Sequence, residues 1–237
     1  MKIQALETSP QIHARAAGLL YLLTVTAGII AQMGISSRIV VDSDAAATAA
    51  NILAHQDLFQ LGFTVYLIEM TAQIAQTVIF NLLLRPVNKS IALLALFFGI
   101  TGCIIKTLSR LFYIAPLLVL ENAGYLGVFS IDQVQALALL LLDVNNQAAG
   151  MALSFFGFST FLNGILIFRS TFLPRTLGVL SIMGGLGWLT FLYPPFGNQL
   201  FPYILVVGMI GSLAQILWLL IKGVDADRWK TLVAGAA

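Results

Sequence analysis

Charge is what this sequence has least of. Asp, Glu, Lys and Arg make up 9% of its 237 residues, against about a quarter in soluble domains. With 59% hydrophobic residues and a mean hydropathy of +0.94, a core of this size cannot hide the apolar surface, so most of it must face lipid. A single cysteine, Cys103, excludes an intrachain disulfide and leaves the redox compartment unread. The only histidines, His13 and His55, lie at opposite ends of the first hydrophobic segment and the loop after it, which excludes a cluster with metal-ligand spacing. Zinc signatures, Asp-rich diphosphate motifs and Gly-x-Ser-x-Gly are absent, so nothing calls for a cofactor or metal. No basic patch alternates with aromatics, which argues against nucleic acid as a partner. Repeats and low-complexity tracts are also missing, and the length suits one integral membrane domain over residues 1–237.

What is present is a series of long apolar runs. A helix needs about 20 mostly apolar residues to cross a bilayer. Six segments qualify, near 14–34, 58–84, 90–120, 146–168, 176–193 and 200–221. Each must be helical, because lipid offers the backbone no hydrogen-bond partner. The first is too long for a ~7–15-residue signal core and lacks a small-x-small cleavage site after it. With the N-terminus in the cytoplasm, the inner segments hold Lys2, Arg15, Arg85, Lys89, Arg169, Arg175, Lys222, Arg228 and Lys230, and the outer ones hold only Arg38. This bias predicts both termini inside. The outer loops carry Asp42, Asp44, Asp57, Glu121 and Asp132. Ser43 or Asp44 can cap a short helix over Ala45–His55 in the first outer loop, and Gln133–Leu142 can form a helix that runs into the fourth span. Pro86, Pro174 and Pro194–Pro195 mark short connections. The expected fold is all-α: a polytopic membrane bundle of six transmembrane helices, N-in and C-in, with a short helix in the first outer loop.

Two cations interrupt the third run. Lys106 and Arg110 stand in IIKTLSRLFY (Ile104–Tyr113), where each charge costs roughly 2.5–3.5 kcal/mol on insertion scales unless it is paired or faces a cavity. The second span holds the only other deeply placed ionisable residue, Glu69. Glu69 and Lys106 are equally far from the turn at RPVNK, so an antiparallel hairpin puts them at the same depth and predicts an ion pair. Helical periodicity groups Tyr66, Glu69, Gln73 and Gln76 on one stripe of the second span. It groups Lys106, Arg110 and Tyr113 on the third, with Gly99 and Gly102 below them. On the fourth it groups Asp143, Asn146, Gln147, Gly150, Ser154 and Gly157, and on the first Tyr21, Thr24, Gly28 and Gln32. Asp143 is the expected partner of Arg110. Lys106 lies about 24 Å beyond Ser90 at ~1.5 Å per residue, so the cluster belongs in the outer half of a core about 30 Å thick. The stripes predict a pocket that opens outward and is lined by Tyr66, Glu69, Gln73, Lys106, Arg110, Tyr113, Asp143, Asn146 and Gln147.

Plainer readings stand beside this one. Glu69–Lys106 can be a clamp that fixes helix register. Arg110 can snorkel to headgroups, Asp143 can sit in a loop, and Gln76 and Gln215 can be interhelical glue. Gly184, Gly185, Gly187, Gly208, Gly211 and Ser212 read as packing positions. His55 reads as a solvated loop residue, and Cys103 as a small core residue with no histidine at its depth to activate it.

Four stretches carry a resemblance: ARAAGLLYLL (Ala14–Leu23), DAAATAANILAHQ (Asp44–Gln56), LLLRPVNKSIALLALFF (Leu82–Phe98) and FFGFSTFLNGILIFRSTFLPRTLGVL (Phe155–Leu180). Over nearly its whole length the chain resembles a bacterial family of six-helix membrane proteins catalogued as a domain of unknown function. The resemblance implies a multi-pass protein of the bacterial inner membrane and implies no activity. Relatives often carry histidine near Asn145 and Asn146, and its absence here weakens any histidine-dependent mechanism.

Three function classes follow. In the first, polar side chains of four helices bind or transport a small or lipid-like anionic ligand, with Lys106 and Arg110 attracting it and Glu69 as counter-ion or proton acceptor. The chain is small for a secondary transporter and lacks an inverted repeat; assembly as a homo-oligomer would compensate. In the second, Glu69 is the candidate catalytic acid of a membrane enzyme, such as a cyclase or isomerase acting on an isoprenoid or lipid. A cation beside it argues against that role. In the third, the protein is a structural or regulatory partner acting through its outer helix or its tail KGVDADRWK, where Trp229, Lys222, Arg228 and Lys230 suit an interfacial anchor among membrane lipids.

Overall fold

The computed structural model describes residues 9–121 and 127–235; Lys2 lies outside them. Among the described residues there is no strand, and six helices are long and apolar enough to cross a membrane. They are Pro10–Ile39, Gln56–Leu84, Lys89–Leu120, Ile131–Arg169, Arg175–Leu192 and Pro194–Ile221. Each span leaves large apolar side chains exposed: Leu19, Ile68, Phe97, Met151, Met183 and Ile210 from first to sixth. In water such surface would be costly; facing lipid, it is the expected outside of a membrane helix. The protein is an all-α, multi-pass membrane protein.

Helix ends follow local chemistry. Ala45–Ala54 forms the helix after the first span, and the Asp44 carboxylate accepts from the Ala47 N–H at 2.8 Å. Ser43 takes φ of +62° just before it. Asn51 Nδ2 donates to Ile39 O at 3.0 Å, and Thr48 bonds the Val41 backbone in both directions. These bonds tie the short helix to the end of the first span. The Gln133–Leu142 stretch is continuous with the fourth span, giving a 39-residue helix. At ~1.5 Å per residue it is about 58 Å long, well beyond a hydrocarbon core of about 30 Å. Pro194 and Pro195 begin the sixth span rather than filling a loop, because proline at the first helical position gives up no needed N–H. One feature had no sequence signal: Ile30–Ser36 is π-helical within the first span.

The described chain divides into two compact units. One comprises the described residues within 1–22, 72–103 and 151–237. Its core joins Ala14 and Ala17, Phe80, Leu83 and Leu84, Leu166 and Ile167, and Leu219. Within it the fourth and fifth spans meet backbone to backbone. A Cβ on Gly157 or Gly164 would lie 2.8 Å from Leu189 N or 2.7 Å from Ile182 N, and one on Gly178 or Gly185 would lie 2.5 Å from Phe168 N or Phe161 N. Without Cβ atoms the helices approach closely, which in lipid replaces the missing hydrophobic drive. The tail is seated on the same unit. Trp229 Nε1 donates to Leu83 O at 2.9 Å, and Arg228 Nη1 to Thr171 O at 3.1 Å.

The other unit comprises the described residues within 23–71 and 104–150. Its core is Ala31, Ile35, Ile39, Ile52, Phe59, Tyr66, Tyr113, Leu117 and Leu142. This is the unit that carries the intramembrane charges.

Candidate functional site: a buried charge cluster

Lys106 Nζ lies 2.6 Å from Glu69 Oε1. Two residues equally far from a tight helical hairpin meet across it, as the sequence spacing requires. Both side chains are largely withdrawn from the surface, Glu69 at 6% and Lys106 at 17% exposure. Gly28 faces the carboxylate from the first span: a Cβ there would lie 3.0 Å from Glu69 Oε1.

One helical turn beyond Lys106, Arg110 is buried at 3% exposure. Its guanidinium carbon stands 3.6 Å from the Tyr66 ring centroid, close enough for a cation–π attraction of about 2 kcal/mol in a desolvated setting. Tyr66 is an edge-on neighbour of Tyr113 at 5.2 Å, and Tyr113 stacks on Phe59 at 4.5 Å. The Tyr66 hydroxyl donates to Gln32 Oε1 at 2.7 Å. Gln32 belongs to the π-helical segment and, like Gly28, meets the cluster from the stripe that helical spacing assigns to the first span.

Arg110 does not pair with Asp143. Its Nη1 donates to Asn145 Oδ1 at 3.0 Å, and Asn145 Nδ2 passes a bond on to Asn146 Oδ1 at 3.1 Å. Asp143 is exposed and makes no ion pair with another described residue. The reason is helical phase: the buried stripe runs through Ala138, Leu142 and Asn145, which turns Asp143, Asn146 and Gln147 outward. Of the nine expected lining residues, Tyr66, Glu69, Lys106, Arg110 and Tyr113 come together. Asn146 touches the group only through Asn145, and Asp143 and Gln147 stand outside it. Gln73 belongs to the other unit, where it lines a different cavity with Gln76.

The cluster holds two cations against one carboxylate, and it leaves polar atoms unsatisfied. Glu69 Oε2 and Arg110 Nε are buried without a hydrogen bond. A buried donor left unpaired costs roughly 1–3 kcal/mol. A guanidinium with a spare N–H is suited to an oxygen of a carboxylate or phosphate. Among the described residues no three His, Cys, Asp or Glu side chains group to hold a metal ion.

Residues 16–223 match the family model described as Domain of unknown function (DUF4386). The chain belongs to this family. Comparison with curated proteins and with solved structures finds no match. Membership agrees with six apolar helices and carries no activity with it. Sequence reasoning missed Asn145 as the partner of Arg110, and it left Gln32 and Phe59 out of the site. The spacing of Ala138, Leu142 and Asn145 was a usable signal, since it continues the apolar face of the fourth span. Gln32 had one too, its place on the polar stripe of the first span, whereas the π-helical form of its segment had none.

Proposed function

We propose that the cluster binds the anionic head of a small or lipid-like ligand, for storage or for passage across the membrane. The observation that carries this reading is Arg110, a guanidinium at 3% exposure whose charge is met by a ring face and an amide rather than by an acid. An intramembrane cation is expensive, and such residues mark ligand or ion pathways by default. With Lys106 held by Glu69, the excess positive charge falls on Arg110. The site belongs on the outer side of the bacterial inner membrane, with both termini in the cytoplasm. Support for that orientation is the nine-to-one distribution of Lys and Arg between alternate connections.

The test is titration of the protein in nanodiscs with decanoate and with decanol, its uncharged counterpart. Decanoate binds saturably and decanol does not; Arg110→Gln weakens decanoate roughly 10- to 150-fold, the loss of one charge-assisted hydrogen bond of about 1.5–3 kcal/mol. Equal binding of the acid and the alcohol, or an unchanged Arg110→Gln variant, would overturn the proposal. A second reading, a register clamp serving a structural or regulatory role, draws on the 2.6 Å Lys106–Glu69 contact alone. The same contact fits Glu69 as counter-ion better than as the acid of a membrane enzyme.

A further inference from the structure

A second polar site lies in the other unit and uses no charge. Residues from all six spans surround a half-enclosed cavity of about 90 Å³. Tyr21 comes from the first, Gln73 and Gln76 from the second, Asn163 from the fourth, and Ser181 and Gln215 from the fifth and sixth. Gly99 of the third span completes the lining, where a Cβ would lie 2.6 Å from the Thr77 methyl and 3.0 Å from Ser159 Oγ. Phe80 and Phe156 supply apolar wall.

The lining is chemically selective. Among the described residues, no Asp, Glu, Lys, Arg or His lines the cavity. Four carboxamides do, and each offers both N–H donors and a carbonyl acceptor. Three lining groups are already engaged: Tyr21 OH with Ser212 Oγ at 2.7 Å, Thr77 Oγ1 donating to Gln73 O at 2.7 Å, and Ser159 Oγ donating to Ala95 O at 2.8 Å. Ser181 Oγ makes only a long 3.4 Å contact to Gln215 Oε1. The carboxamides of Gln73, Gln76 and Asn163 make no hydrogen bond to another described residue. An ion among them would bring charge into the membrane interior with nothing to balance it. The volume takes about three waters at ~30 Å³ each, or one solute of similar size.

We infer that this cavity is a binding site for a small uncharged solute carrying both donor and acceptor groups, of amide or polyol type, separate from the charge cluster around Arg110. Three unpaired carboxamides and two phenylalanine walls suit a molecule with a polar end and a short apolar one, for which acetamide is the simplest probe.

Saturation-transfer NMR on the full chain in nanodiscs, with acetamide and with acetate as its charged counterpart, tests this. Acetamide gives a saturable signal and acetate does not displace it. Asn163→Leu and Gln76→Leu each weaken acetamide at least tenfold, while Arg110→Gln leaves it unchanged, so failure here is distinguishable from failure of the anion site. The acetamide–acetate contrast needs only the unaltered protein and survives even if a variant misfolds. Three results overturn the inference: no saturable signal, as for a cavity that holds water alone; acetate competing as well as acetamide; or full binding retained in both leucine variants.

Discussion

Removing Lys106 and removing Glu69 break the same contact, yet their costs differ. At 2.6 Å the Coulomb attraction is about 6 kcal/mol at an effective dielectric of ~20, most of it offset by desolvation of both ions. Lys106→Met leaves the Glu69 carboxylate uncompensated. That carboxylate is 6% exposed and already has one oxygen without a partner, so the loss approaches ~3 kcal/mol, the lower end for a buried pair broken on one side. Glu69→Gln leaves an ammonium that is 17% exposed and can extend its flexible stem toward a more polar layer, at about 1–2 kcal/mol. The double variant leaves no orphaned charge and returns to within about 1 kcal/mol of the starting protein. Reversible unfolding in mixed micelles, run as a double-mutant cycle, reads all three. Equal single losses that simply add, with coupling below about 0.5 kcal/mol, would refute the reasoning: the two charges would then be independent despite their distance.

Other consequences are simpler. Gly185→Val drives a side chain into the Phe161 backbone, where even a Cβ would lie at 2.5 Å; it lowers stability by at least ~2 kcal/mol in the same micelle assay, as for overpacking elsewhere. Asp44→Ala removes the cap at the Ala47 N–H and costs about 1 kcal/mol, with hydrogen exchange accelerating first in the Ala45–Ala54 helix. Trp229→Phe keeps the ring but loses the bond to Leu83 O, which amounts to about 1 kcal/mol and a tail more open to protease.

Much of this molecule is readable along the chain because lipid imposes one rule on every segment. Long apolar runs must be helices, so six spans appear, the second, third and fifth within two residues of the limits that hydropathy sets and the fourth much longer, from Ile131 to Arg169. Equal distance from one turn was enough to pair Glu69 with Lys106, since a short hairpin leaves little freedom of register. The same periodicity failed for the fourth span. There Asp143 is the chemically obvious partner of Arg110, but it lies two residues, or about 200°, from Asn145. Charge complementarity suggested one residue; helix rotation selected the other. Periodicity also put Gln73 on the stripe of Glu69, although it lines the uncharged cavity. A stripe records direction around a helix and carries no information on which partners meet it at each level.

Membrane residence, helix number and the meeting of Glu69 with Lys106 are therefore properties of the chain taken alone, because each depends on distance along one helix or one hairpin. The neighbours of Arg110, the π-helical form of Ile30–Ser36, and the gathering of amides from distant segments around one cavity depend on how helices rotate and approach one another. That rotation is settled by glycine contacts and side-chain volume summed over several spans, which no single stretch of sequence encodes.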